Sequence, residues 1–246
     1  MKEWIYGRNP VYEVLRAGRR HFFRLRLMQG VSEKDRLGEI IELCRSKKIR
    51  IEYTPKHKLD EIASHHQGVL LEASGYRYSE LDDMMFLAEE RNEAPFILGL
   101  DTLKDPQNLG VLLRTAEAVG VHGVVLPLRQ TASVTPAVVN SSSGACEHLR
   151  IVQANLAQAL NELKNNNLWV MGLDNSLQAE LPNKLDLRGP IALVVGSEGS
   201  GMRRLVHQSC DLIMRLPMRG QVESLNAAAA GSIALYLIWE ARGFSE

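Results

Sequence analysis

At 246 residues, 45% apolar and 24% charged, the chain has the size and composition of an ordinary globular protein with one large domain, or one medium and one small. Its three cysteines, Cys44, Cys146 and Cys210, are far apart and odd in number, which argues against a disulfide framework or a cysteine-based zinc site and suits a reducing cytoplasm. The start, MKEWIYGRNP, lacks the apolar core of a signal peptide, and no apolar run approaches the roughly 18 residues of a membrane span, so a cytoplasmic protein without a membrane partner is expected.

The formal net charge is zero, yet its distribution is uneven. Residues 1–75 hold fifteen Lys/Arg against ten Asp/Glu, residues 76–95 two against six, and the remainder twelve against thirteen. Arg16, Arg19, Arg20, Arg24 and Arg26 form one basic cluster, and Arg45, Lys47, Lys48 and Arg50 another. Such clusters either follow a phosphate backbone or belong to a solvated surface.

In chain order, a helix is expected over Pro10–Ala17, with proline in its first turn and Gly18 as its stop. A strand at Phe22–Met28, a helix at Lys34–Lys47 and short strands at Arg50–Tyr53 and Val69–Ala73 complete a small α/β unit over residues 1–75. Residues 76–95 turn acidic and lose strand character, so they are expected to be a linker with one short helical turn, closed by Pro95. From Phe96 the pattern alternates. Continuous apolar runs at Phe96–Leu100, Gly123–Pro127, Leu168–Leu173, Ile191–Val195 and Leu212–Leu216 are expected as parallel strands covered on both faces. Helices are expected between them at Leu109–Val119, Leu156–Lys164 and Arg203–Gln208. A last helix, Ala227–Ala241, is apolar almost all round and expected to be buried. This α/β pattern is that of an open parallel sheet, whose ligands bind at the carboxyl ends of the strands.

Three stretches lie at such ends. In DTLKDPQNLGVLLRTAE (Asp101–Glu117), Asp105-Pro106 signals a turn and Asn108 stands where a helix N-cap is expected. Arg114 and Glu117, one turn apart, share a face: either an i,i+3 ion pair, or an arginine turned to the strand ends to grip a phosphate. In VVGSEGSGM (Val194–Met202), three glycines in six residues let the backbone approach a ligand. Glu198 within that loop would repel phosphate and suits a cationic or hydroxyl-bearing ligand. In the third stretch, from Leu216 to Ala230, Ser224 or Asn226 can cap the small-residue helix that follows, and the alanines with Gly231 imply a closely packed neighbour.

In their order and spacing, NLGVLLRTAE, GSEGSG and LPMRGQVESLNAA are similar to the signature of the SpoU/TrmH family of RNA ribose 2′-O-methyltransferases. The resemblance extends to Ser142-Ser143-Gly144-Ala145 with Glu147. It also takes in Tyr6–Val11 and His66–Val69, which are similar to the small RNA-binding domain of the larger members. It implies a knotted domain over residues 96–246, with a deep trefoil, beside an L30e-like RNA-binding domain over 1–75. It further implies a homodimer and S-adenosyl-L-methionine held by Gly196, Leu216, Met218 and Leu225. Asn108, Arg114, Glu198, Ser224 and Asn226 would surround the chemistry. The length and two-part layout resemble members that methylate a guanosine of bacterial 23S rRNA in the peptidyl-transfer centre. Action on tRNA by the same chemistry, or a non-catalytic role in ribosome assembly, are the other expectations. No metal is expected at His65-His66, since adjacent histidines point apart. Trp169 and Trp239 are expected in the core, and Tyr76 and Tyr78 on the surface.

Overall fold

The computed structural model describes residues 2–176, 178–199 and 201–244. Lys2–Tyr6 form β1 and Arg8–Ala17 form α1. Gly7, at φ 88°, turns the strand directly into the helix, a backbone state that side-chain-bearing residues rarely hold. Phe22–Met28 (β2), Arg36–Ser46 (α2), Arg50–Thr54 (β3), Lys56–Asp60 (α3) and Val69–Ser74 (β4) follow. Next come Leu81–Glu90 (α4), Phe96–Leu100 (β5), Pro106–Ala118 (α5), Gly123–Pro127 (β6), Pro136–Ser141 (α6) and Ile151–Ala154 (β7). The last elements are Leu156–Asn165 (α7), Trp169–Leu173 (β8), Ile191–Val195 (β9), Arg204–Gln208 (α8), Leu212–Met214 (β10) and Ala227–Ala241 (α9).

These elements fall into two compact units, one of residues 1–77 with 133–148, the other of residues 78–132 with 149–246. The first holds a four-stranded sheet in the order β1-β4-β2-β3. β4 runs antiparallel to both β1 and β2, and β2 pairs parallel with β3 across α2. Ile5, Leu25 and Leu71 are paired in register and fully buried, and Val11, Val14, Leu37 and Ile40 from α1 and α2 are buried with them. The segment 133–148, which carries α6 and a 3₁₀ turn at Ala145–His148, belongs to this unit although it leaves the chain between β6 and β7. Asn140 Nδ2 donates to the Tyr6 carbonyl at 3.2 Å and His148 meets Glu13 at 2.8 Å, and the Glu147 carboxylate is a further tie. It accepts from Arg20 at 2.6 Å, with both side chains fully buried, while Glu3 takes the same guanidinium at 2.9 Å.

The second unit carries a six-stranded sheet in the order β10-β8-β9-β5-β6-β7, with every pair parallel. From β5 the chain winds first through β6 and β7, then returns to place β9 on the other side of β5. The order therefore reverses at β5/β9, and a crevice opens beyond the carboxyl ends there. Ile97, Val125, Val170, Ala192 and Val194 pack one face of the sheet against Leu156, Leu160 and Leu163 of α7 and Met84 of α4. Burial of each large side chain contributes roughly 1.5–3 kcal/mol. On α9, a Cβ at Gly231 would lie 2.6 Å from Leu112 of α5. The glycine is what allows the two helices to meet so closely. Among the described residues no helix is long and apolar enough to cross a membrane.

Several sequence expectations change. Residues 76–95 contain a ten-residue helix, α4, started by a capping box between Glu80 and Asp83 and anchored by buried Met84 and Ala88. Its acidic surface residues hide that apolar pair in the composition. Trp169 is 57% exposed at the start of β8, and Trp239 is half-buried, edge-on to Tyr236 and Phe244. Tyr76, expected on the surface, is half-buried: its hydroxyl donates to the Cys146 carbonyl at 3.3 Å, and its ring lies 5.5 Å from both the Arg19 and Arg20 guanidinium carbons. Helix α9 is buried on one face only, with Ile233 and Tyr236 exposed.

Candidate active site

Four strand ends build the site. After β5, Asp105 caps α5 by accepting from the Gln107 N–H at 3.0 Å, and Pro106 occupies the first helical position, where its missing N–H costs nothing. Asn108, expected as the cap, therefore sits at the third helical position, with its amide free of capping duty. After β9, the loop from Gly196 closes on itself through paired backbone bonds between Ser197 and Gly201, 3.0 Å each way. A Cβ at Gly196 would overlap the Gly201 backbone, and Gly199 and Gly201 take φ 80° and 63°. Three glycines are thus a geometric requirement of this loop. Ser200, part of the same run, lies outside the described residues.

After β10, the chain runs through Leu216, Met218, Ser224 and Leu225 to Asn226. The Asn226 Oδ1 caps α9 by accepting from the Ala228 and Ala229 N–H groups at 2.9 and 3.1 Å. That assignment fixes the amide orientation, so Nδ2 faces the site. There it donates to Asn108 Oδ1 at 3.2 Å and to Glu198 Oε1, to which Asn108 Nδ2 also donates at 3.0 Å. Asn108, Glu198 and Asn226, 90 and 28 residues apart, form one closed network.

This network stands at the wall between two cavities. The larger, about 570 Å³, is lined by Gly196, Leu216, Met218, Ser224 and Leu225, together with Asp174 and Asn175 from the end of β8. Among the described residues lining it there is no Lys, Arg or His, while Asp174 and Glu198 contribute carboxylates. A cavity of this kind favours a ligand with a positive centre. Met218 and Leu225 are more than a third exposed and offer apolar surface for a ligand to cover. The second cavity, about 470 Å³, shares Ser197 and Glu198 with the first and includes Asn108.

Eight of the nine sequence-predicted site residues thus converge: Gly196, Leu216, Met218, Leu225, Glu198, Ser224 and Asn226 at the first cavity, and Asn108 at the second. Arg114 is exposed on α5 and, among the described residues lining the two cavities, is not one. Sequence reading missed Asp174, Asn175, Asp101, Lys104 and Arg203. The available signal was their position directly after apolar runs or after the glycine loop. The first basic cluster also changes meaning, because Arg20 is buried and Arg24 is shared by Glu52 and Glu72 at 3.4 and 2.9 Å. Arg45, Lys47, Lys48 and Arg50 are all exposed at the end of α2 and the start of β3.

Comparison with known proteins gives the family and the fold. The model of the SpoU rRNA methylase family matches residues 95–236, and that of the RNA 2′-O ribose methyltransferase substrate-binding domain matches residues 4–79. YacO of Bacillus subtilis (strain 168), a protein named for the TrmH family of tRNA/rRNA methyltransferases, is 42% identical over 242 residues, covering 98% of this chain and 96% of that one. A TrmH-family relative from Staphylococcus aureus (strain MSSA476) is 38% identical over 240 residues, covering 97% and 96%. The fold is similar to that of the SpoU methyltransferase AviRb from Streptomyces viridochromogenes, solved with AdoMet, at a TM-score of 0.82 and 21% identity over 99% of this chain and 92% of that one. It is likewise similar to an rRNA methyltransferase from Sinorhizobium meliloti, at a TM-score of 0.80 and 21% identity over 97% and 87%. With a matching model over more than half its length and relatives of this identity along nearly all of it, the chain belongs to the SpoU rRNA methylase family.

Proposed function

We propose that this protein transfers a methyl group from S-adenosyl-L-methionine to the ribose 2′-hydroxyl of a guanosine in the peptidyl-transfer centre of 23S rRNA, acting in the cytoplasm as a homodimer. The observation that carries the reading is the Asn108–Glu198–Asn226 network on the wall shared by a cation-free cavity and a second, adjacent cavity. Two substrates that must meet at one atom need adjoining chambers with a common wall.

S-adenosyl-L-methionine would supply an activated methyl on a sulfonium: the 2′-oxygen takes the methyl, sulfur keeps the electrons of the broken carbon–sulfur bond, and the hydroxyl proton leaves to water or another group. The chain's own groups position and stabilise. Gly196, the Leu216 backbone, Met218 and Leu225 hold the cofactor, and the carboxylates of Asp174 and Glu198 favour its positive charge. Asn108, Ser224 and Asn226 orient the acceptor side. Arg114 lines neither cavity of its own chain, so its part as clamp and oxyanion stabiliser would be played at the site of a second copy; it is no base, because a guanidinium keeps its proton.

The homodimer reading draws on α5 and α9, which pack on each other and leave Val111, Ile233 and Tyr236 each more than 40% exposed. Arg114 shares the Val111 face at i,i+3, so a second copy seated there would cover it. The trefoil knot is part of the same reading, supported by the path of the last segment, which leaves edge strand β10 and returns across the sheet to pack α9 on α5. The test is mass mapping of ribose methylation on 23S rRNA and tRNA from cells lacking the protein. Loss of one methylated guanosine in the peptidyl-transfer region is expected. Loss of a tRNA methyl group instead would keep the chemistry and move the substrate.

A further inference from the structure

The second cavity holds an arginine that is fixed with unusual completeness. Asp101, directly after β5, is fully buried, and its own N–H continues the ladder to Val195 O at 2.8 Å. Its carboxylate accepts three times from one residue: Oδ2 from the Arg203 backbone N–H, and Oδ1 from Arg203 Nε and Nη2, each at 2.7 Å. A buried carboxylate is tolerated only when so satisfied, and neither group can shift without stranding the other. One edge of the guanidinium is thereby committed to Asp101. The side chain remains 46% exposed and lines the second cavity, so its other edge, with Nη1, is available there.

Lys104 lines the same cavity and is exposed. The turn that presents it is held in place: Thr102 takes φ 56° and Gln130 φ 61°, both lining the cavity. Leu103 O accepts from Ala132 N at 2.7 Å and from Thr131 Oγ1 at 2.9 Å. A β-branched residue in the left-handed region persists only where its surroundings over-determine it. The two carboxylates on this lining are engaged elsewhere, Asp105 in capping α5 and Glu198 with two amides. The cationic donors on this lining are Arg203 and Lys104, beside the neutral Thr102 hydroxyl and Gln130 amide.

We infer that the second cavity receives the acceptor nucleotide, with Arg203 and Lys104 holding a backbone phosphate next to the target ribose and Asn108 and Glu198 lying at the sugar. Asp101 is then a positioning residue that aims Arg203. This inference rests on the methyltransferase reading above and adds to it the group that grips the strand. A planar, pre-set guanidinium beside a flexible ammonium is a good phosphate receptor.

The test uses the full-length protein, S-adenosyl-L-methionine and a 23S rRNA fragment from the peptidyl-transfer region. Cofactor affinity, RNA affinity against salt, KM and kcat are measured for wild type, Lys104→Gln, Arg203→Gln and Asp101→Asn. Lys104→Gln is expected to keep cofactor affinity within about twofold, raise the RNA KM about tenfold and flatten the log–log salt slope by roughly one. Arg203→Gln is expected to change KM and slope in the same direction. Asp101→Asn is expected to raise KM more than it lowers kcat. Wild-type KM and slope in both Lys104→Gln and Arg203→Gln would overturn the assignment. Should Arg203→Gln lose cofactor binding through damage to the loop, Lys104→Gln decides alone. Failure of the wild type itself to methylate any RNA brings down the parent reading, and this inference with it.

Discussion

The Arg20 guanidinium and the Glu147 carboxylate meet at 2.6 Å with no solvent exposure on either side chain, although 127 residues separate them in sequence. Burial alone would lower the proton affinity of Arg20; its bonds to Glu147 and Glu3 outweigh that and raise it. Arg20 therefore stays charged, and removing its Glu147 partner leaves a buried charge. Glu147→Ala is expected to destabilise the protein by about 3–5 kcal/mol, read as a loss of thermal stability, with a smaller loss when Arg20 is also replaced by methionine. A protein lacking residues 1–75 would strand Glu147 as well, so RNA-binding loss in that truncation must be read beside its stability.

Asn226 serves two masters, and one substitution separates them. Aspartate keeps an acceptor for the Ala228 and Ala229 N–H groups, and so keeps the cap. It also replaces the donor facing Glu198 with a second carboxylate. Asn226→Asp is expected to retain its melting temperature within a few degrees while methyl transfer falls at least about tenfold. Equal losses in both would show that the residue is a cap and nothing more.

His122, 1% exposed, accepts from the Phe96 N–H at Nδ1 (3.0 Å), so its neutral form carries the proton at Nε2 toward Glu93. Burial holds its pKa below the ordinary 6.5, with Glu93 opposing. The unfolded chain therefore takes up the proton more readily than the native one. Stability is present in full above about pH 6.5 and falls as pH drops below it. Urea unfolding at pH 7.5 and 5.5 should show this loss, and His122→Gln should reduce its slope.

Burial pushes the thiols of Cys44, Cys146 and Cys210 up to about 12. Reaction with a disulfide reagent at pH 8 is expected to run roughly a thousandfold slower in the native protein than in denaturant. A fast-reacting native thiol would show that one of these sites opens.

Lys47 and Lys48 are exposed at the end of α2, close in sequence to Arg45 and Arg50. Reversing both to glutamate is expected to weaken RNA binding by about tenfold or more at low salt and to flatten its salt dependence, with cofactor affinity unchanged. Filter binding across a salt series reads the slope directly.

Local pattern carried much of this protein. Period and apolar continuity located nearly every strand of the large sheet, because a parallel strand covered on both faces needs an unbroken apolar run that little else in a chain requires. Glycine and amide placement marked the strand ends, since sharp turns near a ligand leave few residue choices. Motif order was enough to point to Gly196, Leu216, Met218, Leu225, Asn108, Glu198, Ser224 and Asn226. What no local pattern holds is pairing at a distance. The grip of Asp101 on Arg203 and the two-sided use of Asn226 depend on which strand ends the sheet order brings together, and the alliance of Glu147 with Arg20 on where the 133–148 segment folds. Helix α4 lay hidden because an acidic surface masks two buried residues, Met84 and Ala88. The exposed apolar face of α9 reverses an all-apolar reading, because burial depends on what packs against a helix as well as on its composition.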